Sequence, residues 1–207
     1  MRQPVRRDCI STLGLRRLLG GLALAAAILA APGLVLAQDQ AAEAPTFPRV
    51  MLSEQHGKWC KVRVGDQLPA FELPNLDGTP VKSPSLYGRA GTVVVFWSSD
   101  RWMARAALHD IGQLIAAKKV PAGVQVLGVA VGQSADAVEK ATKAANIAAP
   151  QLIDQSGEAF AQVGSVALPR VYVLDGAGRI MWFDIEYSEA TRRELRQSLA
   201  ALAPAKQ

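Results

Sequence analysis

Cysteine is nearly absent from this 207-residue chain, which carries only Cys9 and Cys60. Two thiols so far apart in sequence make no disulfide framework, and they offer none of the paired spacings that hold zinc. Histidine is as sparse, with His56 and His109 alone, so no histidine-rich metal cluster can form. Internal repeats and low-complexity blocks are missing as well, which excludes solenoid and array architectures. Acidic and basic runs are also missing from the body of the chain. The net charge of +5 and the pI near 9.5 come mostly from Arg2, Arg6, Arg7, Arg16 and Arg17. Without that first segment, which also holds Asp8, the remainder sits near +1. Bulk charge therefore gives no support for a nucleic-acid partner.

What is present begins with a basic stretch, followed by an apolar run from Leu18 to Leu36 that only Gly20, Gly21, Pro32 and Gly33 interrupt. Val35-Leu36-Ala37 is a small-x-small sequence before the polar Gln38-Asp39-Gln40. This order of basic, apolar and small-residue segments reads as a secretory signal peptide over residues 1–37. An uncleaved anchor is the rival reading, since about 20 apolar residues span a bilayer; membrane contact is then expected only through that segment. Arg6-Arg7 is followed by Asp8-Cys9-Ile10, a poor twin-arginine match. The expected location is periplasmic or secreted. Cys9 departs with the leader, leaving Cys60 as the one thiol in an oxidising compartment.

Residues 38–61 are rich in Ala, Gln, Glu and Pro and read as a linker or N-terminal arm. Residues 62–207 form one domain, enough for a single well-buried core. Asp77-Gly78 between short apolar runs signals a hairpin. Strands are predicted at 92–97, 124–131, 151–154, 170–174 and 179–185, the first two with the near-continuous apolar character of central strands. Helices are predicted at 100–119, 134–145 and 158–163, and again from Ser188 onward. In the first helix Ala104, Leu108, Ile111 and Ile115 share one face, with Ser99 or Asp100 as its cap. Alternating strands and helices imply a mixed sheet between helical layers.

Four segments in this order resemble the redoxin branch of the thioredoxin superfamily, which includes exported thiol–disulfide oxidoreductases and alkyl-hydroperoxide-reductase and thiol-specific-antioxidant (AhpC/TSA) proteins. They are VGDQLPAFELPNLDGTPV (64–81), GRAGTVVVFWSSDRWMARAAL (88–108), VQVLGVAVGQSADAVEKATKAANI (124–147) and VALPRVYVLDGAGRIMWF (166–183). The resemblance implies an α/β thioredoxin-like fold with a central mixed β-sheet flanked by helices. It also implies a cis-proline at Pro169 and a redox cysteine pair where the strand ending Phe96-Trp97 meets the next helix. That pair would fall at Arg101 and Ala104, and a peroxide-reactive cysteine near Arg105. None of these residues is a thiol, so the dithiol cycle, in which one thiolate attacks and the other resolves, has no residues to run it.

The expected site is therefore a binding surface for an exported protein or peptide partner around the cis-proline, formed by Trp97, Arg101, Trp102, Leu168, Pro169 and Arg170. Arg101 and Arg170 together at a helix N-terminus would suit a carboxylate or phosphate, and Trp102 should project outward. Cys60 is the rival centre, either a one-cysteine thiol oxidoreductase or antioxidant site or a packed, inert residue beside Trp59. Lys58, Lys61 and Arg63 are the cations nearest to it in sequence. His56-x-x-x-Cys60 with Met51 nearby is a soft-ligand set of the kind copper takes, but without a paired cysteine motif no metal is assigned. No cofactor is implied. His109 reads as a helix-surface residue, and Asp184, Glu186 and Tyr187 as a polar loop before a helix capped by Ser188.

Overall fold

The computed structural model describes residues 45–203; the expected leader and the first residues of the arm lie outside them. The chain runs α1 (Glu54–Lys58), β1 (Glu72–Pro74), β2 (Pro80–Lys82), a 3-10 turn (Ser83–Leu86), β3 (Gly91–Trp97), α2 (Trp102–Ala116), β4 (Val124–Val131) and α3 (Ala135–Ala144). It continues β5 (Gln151–Asp154), α4 (Glu158–Val163), β6 (Arg170–Leu174), β7 (Ile180–Asp184) and α5 (Glu189–Leu202). The central sheet has the order β5-β4-β3-β6-β7, with β3, β4 and β5 parallel and β6 and β7 antiparallel to their neighbours. Parallel neighbours need crossover connections, and α2 and α3 supply them.

β3 lies at the middle of this sheet and is buried along its whole length. Successive strand residues point to opposite faces, so β3 feeds two cores. Val93, Val95 and Trp97 pack with Ala104, Leu108 and Ile111 of α2 and with Leu195 and Leu199 of α5. Val94 and Phe96 pack on the other side with Val62, Leu68, Phe71, Val163 and Tyr172. The predicted stripe of α2 faces inward as its spacing requires.

Within residues 38–61, read as a linker or N-terminal arm, Glu54–Lys58 forms a short helix capped by Ser53, whose Oγ accepts from His56 N–H at 3.1 Å. Two expectations about α2 are corrected. α2 starts at Trp102 with Arg101 as its cap residue, and neither Ser99 nor Asp100 caps it. Ser99 instead exchanges two hydrogen bonds with Gln133 (Ser99 N–H to Oε1, 2.8 Å; Nε2 to Ser99 Oγ, 2.6 Å). That tie fixes the β3–α2 loop before the helix begins. α2 also stops short of its predicted end, because Lys118 takes φ +53°, a conformation that ends a helix.

Ser188 caps α5 with a reciprocal box through Thr191, and Asp184 accepts the Thr191 hydroxyl at 2.7 Å. Asp184 thus ends β7 in a structural role, and of the residues that lead from it to Ser188 only Glu186 is exposed, while Ile185 and Tyr187 are buried, so the stretch is less polar than the sequence reading has it. Ser188→Ala is expected to lower global stability by about 1 kcal/mol in urea unfolding with an unchanged slope. An unaltered midpoint would contradict the capping role.

Candidate functional site

The end of β3 delivers the chain to the N-terminus of α2, and the loop from Ser165 to Pro169 crosses opposite it. The Leu168–Pro169 peptide bond is cis. Between these elements lies a cleft of about 400 Å³, whose walls include Arg101, Trp102 and Met103 on one side and Val166, Ala167 and Leu168 on the other. Trp102 is 68% exposed there, as is Val166. Val166 has φ +66° at the centre of a three-residue turn closed by Ala167 N–H to Ser165 C=O at 2.8 Å. A β-branched residue at that φ is strained, so something must hold the loop in place.

That something is Arg170, and here the sequence expectation is overturned. Arg170 was expected on the open surface beside Arg101, but it is fully buried. β6 is an inner strand with both faces covered, so a side chain from it has no route to water. Its Nη2 donates to Trp59 C=O (2.8 Å) and Ser165 C=O (2.7 Å), Nε to Ala167 C=O (3.2 Å), and Nη1 to Cys60 Sγ (3.4 Å). The guanidinium also lies 5.6 Å from the Phe160 ring centroid. It clamps the two carbonyls that flank Val166 to the segment carrying Trp59 and Cys60. The anion site built from two guanidinium groups is therefore absent, because only Arg101 reaches the cleft.

The other expected residues separate cleanly. Trp97 is buried and does not line the cleft; its Nε1 donates to Gln151 Oε1 at 3.2 Å. Ala104 is buried in the α2 face, and Pro169 lies buried behind Leu168. Cys60 is half-buried and opens onto a different cleft, of about 640 Å³, which it shares with Leu52, Lys58, Arg63 and Phe183. Lys58 pairs with Glu54 at 2.8 Å and Lys61 reaches Ala161 C=O at 2.7 Å. The cation beside the sulfur is thus Arg170, more than a hundred residues away in sequence. His56 turns from Cys60 toward the first cleft, 5.1 Å from the Trp59 ring and 3.6 Å from Glu186. Met51 is 76% exposed, and no group of three metal-binding side chains occurs among the described residues. His109 is an exposed helix residue 2.9 Å from Gln113.

Sequence reasoning missed Trp59, Ile185 and Glu186 as cleft walls. The three-residue spacing of His56 and Trp59 across one helical turn was the available signal. Gly164 seals the clamp, since a Cβ there would run into the Arg170 guanidinium and lie 2.6 Å from Trp59 C=O. Gly164→Ala is expected to cost about 1–3 kcal/mol through overpacking, read as a lower unfolding midpoint. A parental midpoint would contradict the clamp.

Known proteins share this fold. The chain is 23% identical over 144 residues to thiol-disulfide oxidoreductase ResA of Bacillus thuringiensis, covering 70% of this chain and 81% of that one. A thioredoxin-family thiol:disulfide interchange protein of Chlorobium tepidum superposes with a TM-score of 0.55 at 21% identity, over 69% of this chain and 99% of that one. A secreted disulfide oxidoreductase of Mycobacterium tuberculosis, described as homologous to E. coli DsbE, gives a TM-score of 0.54 at 23% identity, over 63% of this chain and 95% of that one. These likenesses establish the thioredoxin-like fold. The AhpC/TSA family profile matches residues 64–183, and the chain belongs to the AhpC/TSA family.

Proposed function

We propose that this chain is an exported redoxin-fold binding module, periplasmic or secreted, which receives an extended peptide or protein partner in the cleft beside Pro169 and does not exchange disulfides there. The observation that carries this reading is the pairing of an exposed Trp102 with Arg101 and Ala104 at the two positions where the resemblance would put thiols. A helix N-terminus stabilises a thiolate only when a thiol is there. Arg101 offers a cation instead, and Ala104 is packed into the core beneath it.

The cleft suits recognition. Trp102 and Val166 form apolar lips, and Trp59 and Met103 continue the apolar wall. A large aromatic side chain left in water at a cleft mouth is the type of residue that dominates binding energy once a partner covers it. Arg101 and Glu186 at the rim supply charges of both signs, which orient a partner more than they strengthen its binding. Export is supported by the sequence of residues 1–37, and one structural neighbour is described as secreted. The rival reading, turnover through Cys60, draws no support from this cleft, because Cys60 opens elsewhere.

The purified protein is expected not to reduce insulin disulfides with dithiothreitol above background. On an array of extended peptides, Trp102→Ala is expected to raise Kd by roughly tenfold or more, the scale of an aromatic hot spot. Reduction at a thioredoxin-like rate, abolished by Cys60→Ala, would overturn the proposal and make Cys60 catalytic.

A further inference from the structure

The second core is not closed where the arm meets it. Phe183 is buried there, but Val50 and Leu52, which pack against the same core, are only half-buried. They floor the cleft of about 640 Å³ onto which Cys60 also opens. That volume falls within the roughly 300–1,000 Å³ of small-molecule sites. One wall is fixed at both ends, since Cys60 pairs with Gly164 and Gly65 N–H donates to Ile180 C=O at 2.8 Å. Val64, which is 50% exposed, belongs to this wall. The facing wall is α1, whose residues Glu54, Gly57 and Lys58 share one side of the helix. A Cβ built on Gly57 meets nothing within 4 Å, so the cleft reaches the helix backbone.

The polar groups of these walls are already engaged, with one exception. Ser53 Oγ caps α1, the Cys60 S–H donates to His56 C=O at 3.4 Å, and Lys58 pairs with Glu54 at 2.8 Å. Arg63 is exposed at the rim, and among the described residues its guanidinium has neither an ion pair nor a hydrogen bond. The neighbouring Asp66 carboxylate accepts the Arg63 backbone N–H at 2.8 Å. An aliphatic floor with one free cation at its edge selects an amphipathic monoanion. A sugar-like body would lose its hydrogen bonds to water without replacement. An aromatic body would find no open ring to stack on, because Phe183 is 3% exposed. A guanidinium matches a carboxylate through two parallel N–H donors.

We propose that this cleft binds a free medium-chain carboxylate, with its acyl chain on Val50, Leu52 and Val64 and its headgroup on the Arg63 guanidinium. The site owes nothing to the cis-proline cleft, so a failure of peptide binding there leaves it standing.

The test titrates octanoate into the purified protein and follows the methyl signals of Val50, Leu52 and Val64 by NMR. Saturable shifts of these methyls are expected, and affinity is expected to rise about fourfold per methylene from hexanoate to octanoate, the worth of a buried CH₂. Octylamine, with the same chain and the opposite charge, is expected to bind about two- to fivefold more weakly, the range of an exposed ion pair. That gap is expected to vanish in Arg63→Gln. Gly57→Leu places a side chain in the cleft without backbone strain and is expected to weaken octanoate binding by about tenfold or more, as overpacking does. The absence of saturable shifts at these methyls would overturn the site, and parental affinity in Gly57→Leu would overturn its placement. Equal binding of octylamine and octanoate by the parental protein would overturn the anionic headgroup, and that comparison stands whatever the variants do to stability. Shifts of the same methyls on concentrating the protein without octanoate would overturn the proposal in favour of a second copy of the chain.

Discussion

The Arg170 guanidinium ties the site together from within the core. It is planar and carries more donors than any other side chain, and here it spends them on carbonyls from Trp59, Ser165 and Ala167. Those carbonyls belong to two segments outside the central sheet, the end of the N-terminal arm and the loop before Pro169, which backbone bonds from Lys61 N–H to Val163 C=O and from Ser165 N–H to Trp59 C=O also join. Hydrogen bonds to a charged donor are worth more than neutral ones, enough to offset the strain at Val166. The arm consequently forms one wall of the cleft, with Trp59 fixed behind Arg170 and His56 packed on Trp59.

The same constraint separates two clefts whose lining residues Trp59 and Cys60 stand side by side in the sequence. Trp59 and Cys60 are adjacent, yet the backbone turns between them so that Trp59 faces the cis-proline cleft and Cys60 the other. The Cys60–Gly164 bridge fixes that turn.

Most of the fold was legible in the sequence because it rests on local signals. The strands at 124–131, 151–154 and 170–174 are largely apolar, with Gln125, Gln151 and Arg170 as exceptions, and are bounded by Gly, Pro or Asp. Asp77-Gly78 closes the β1–β2 hairpin with Gly78 at φ +80°, and Ser188 announces α5. The site was legible only in part. The cis-proline and the outward Trp102 follow from matching known segments and from a large apolar residue at a helix start. The burial of Arg170 does not: a lone arginine at a strand's first position reads as a surface charge, and only the order of strands in the sheet shows that β6 has no open face. Trp97 failed for a related reason. Its position suggested the cleft, but strand alternation turns it inward to Gln151. The α1 helix was missed because five residues carry too little period to stand out from a polar arm.

In the proposed reading, the cleft occupies the position of a redoxin dithiol site whose thiols are replaced. Arg101 is the cap of α2 and Ala104 lies one turn in, buried. Cysteines at that spacing place their Cα atoms within the roughly 7 Å that a disulfide tolerates. The most direct test is therefore the double variant Arg101→Cys with Ala104→Cys, digested after mild oxidation and analysed by mass spectrometry. A reducible bridge between residues 101 and 104 is expected. Two free thiols under the same conditions would contradict it.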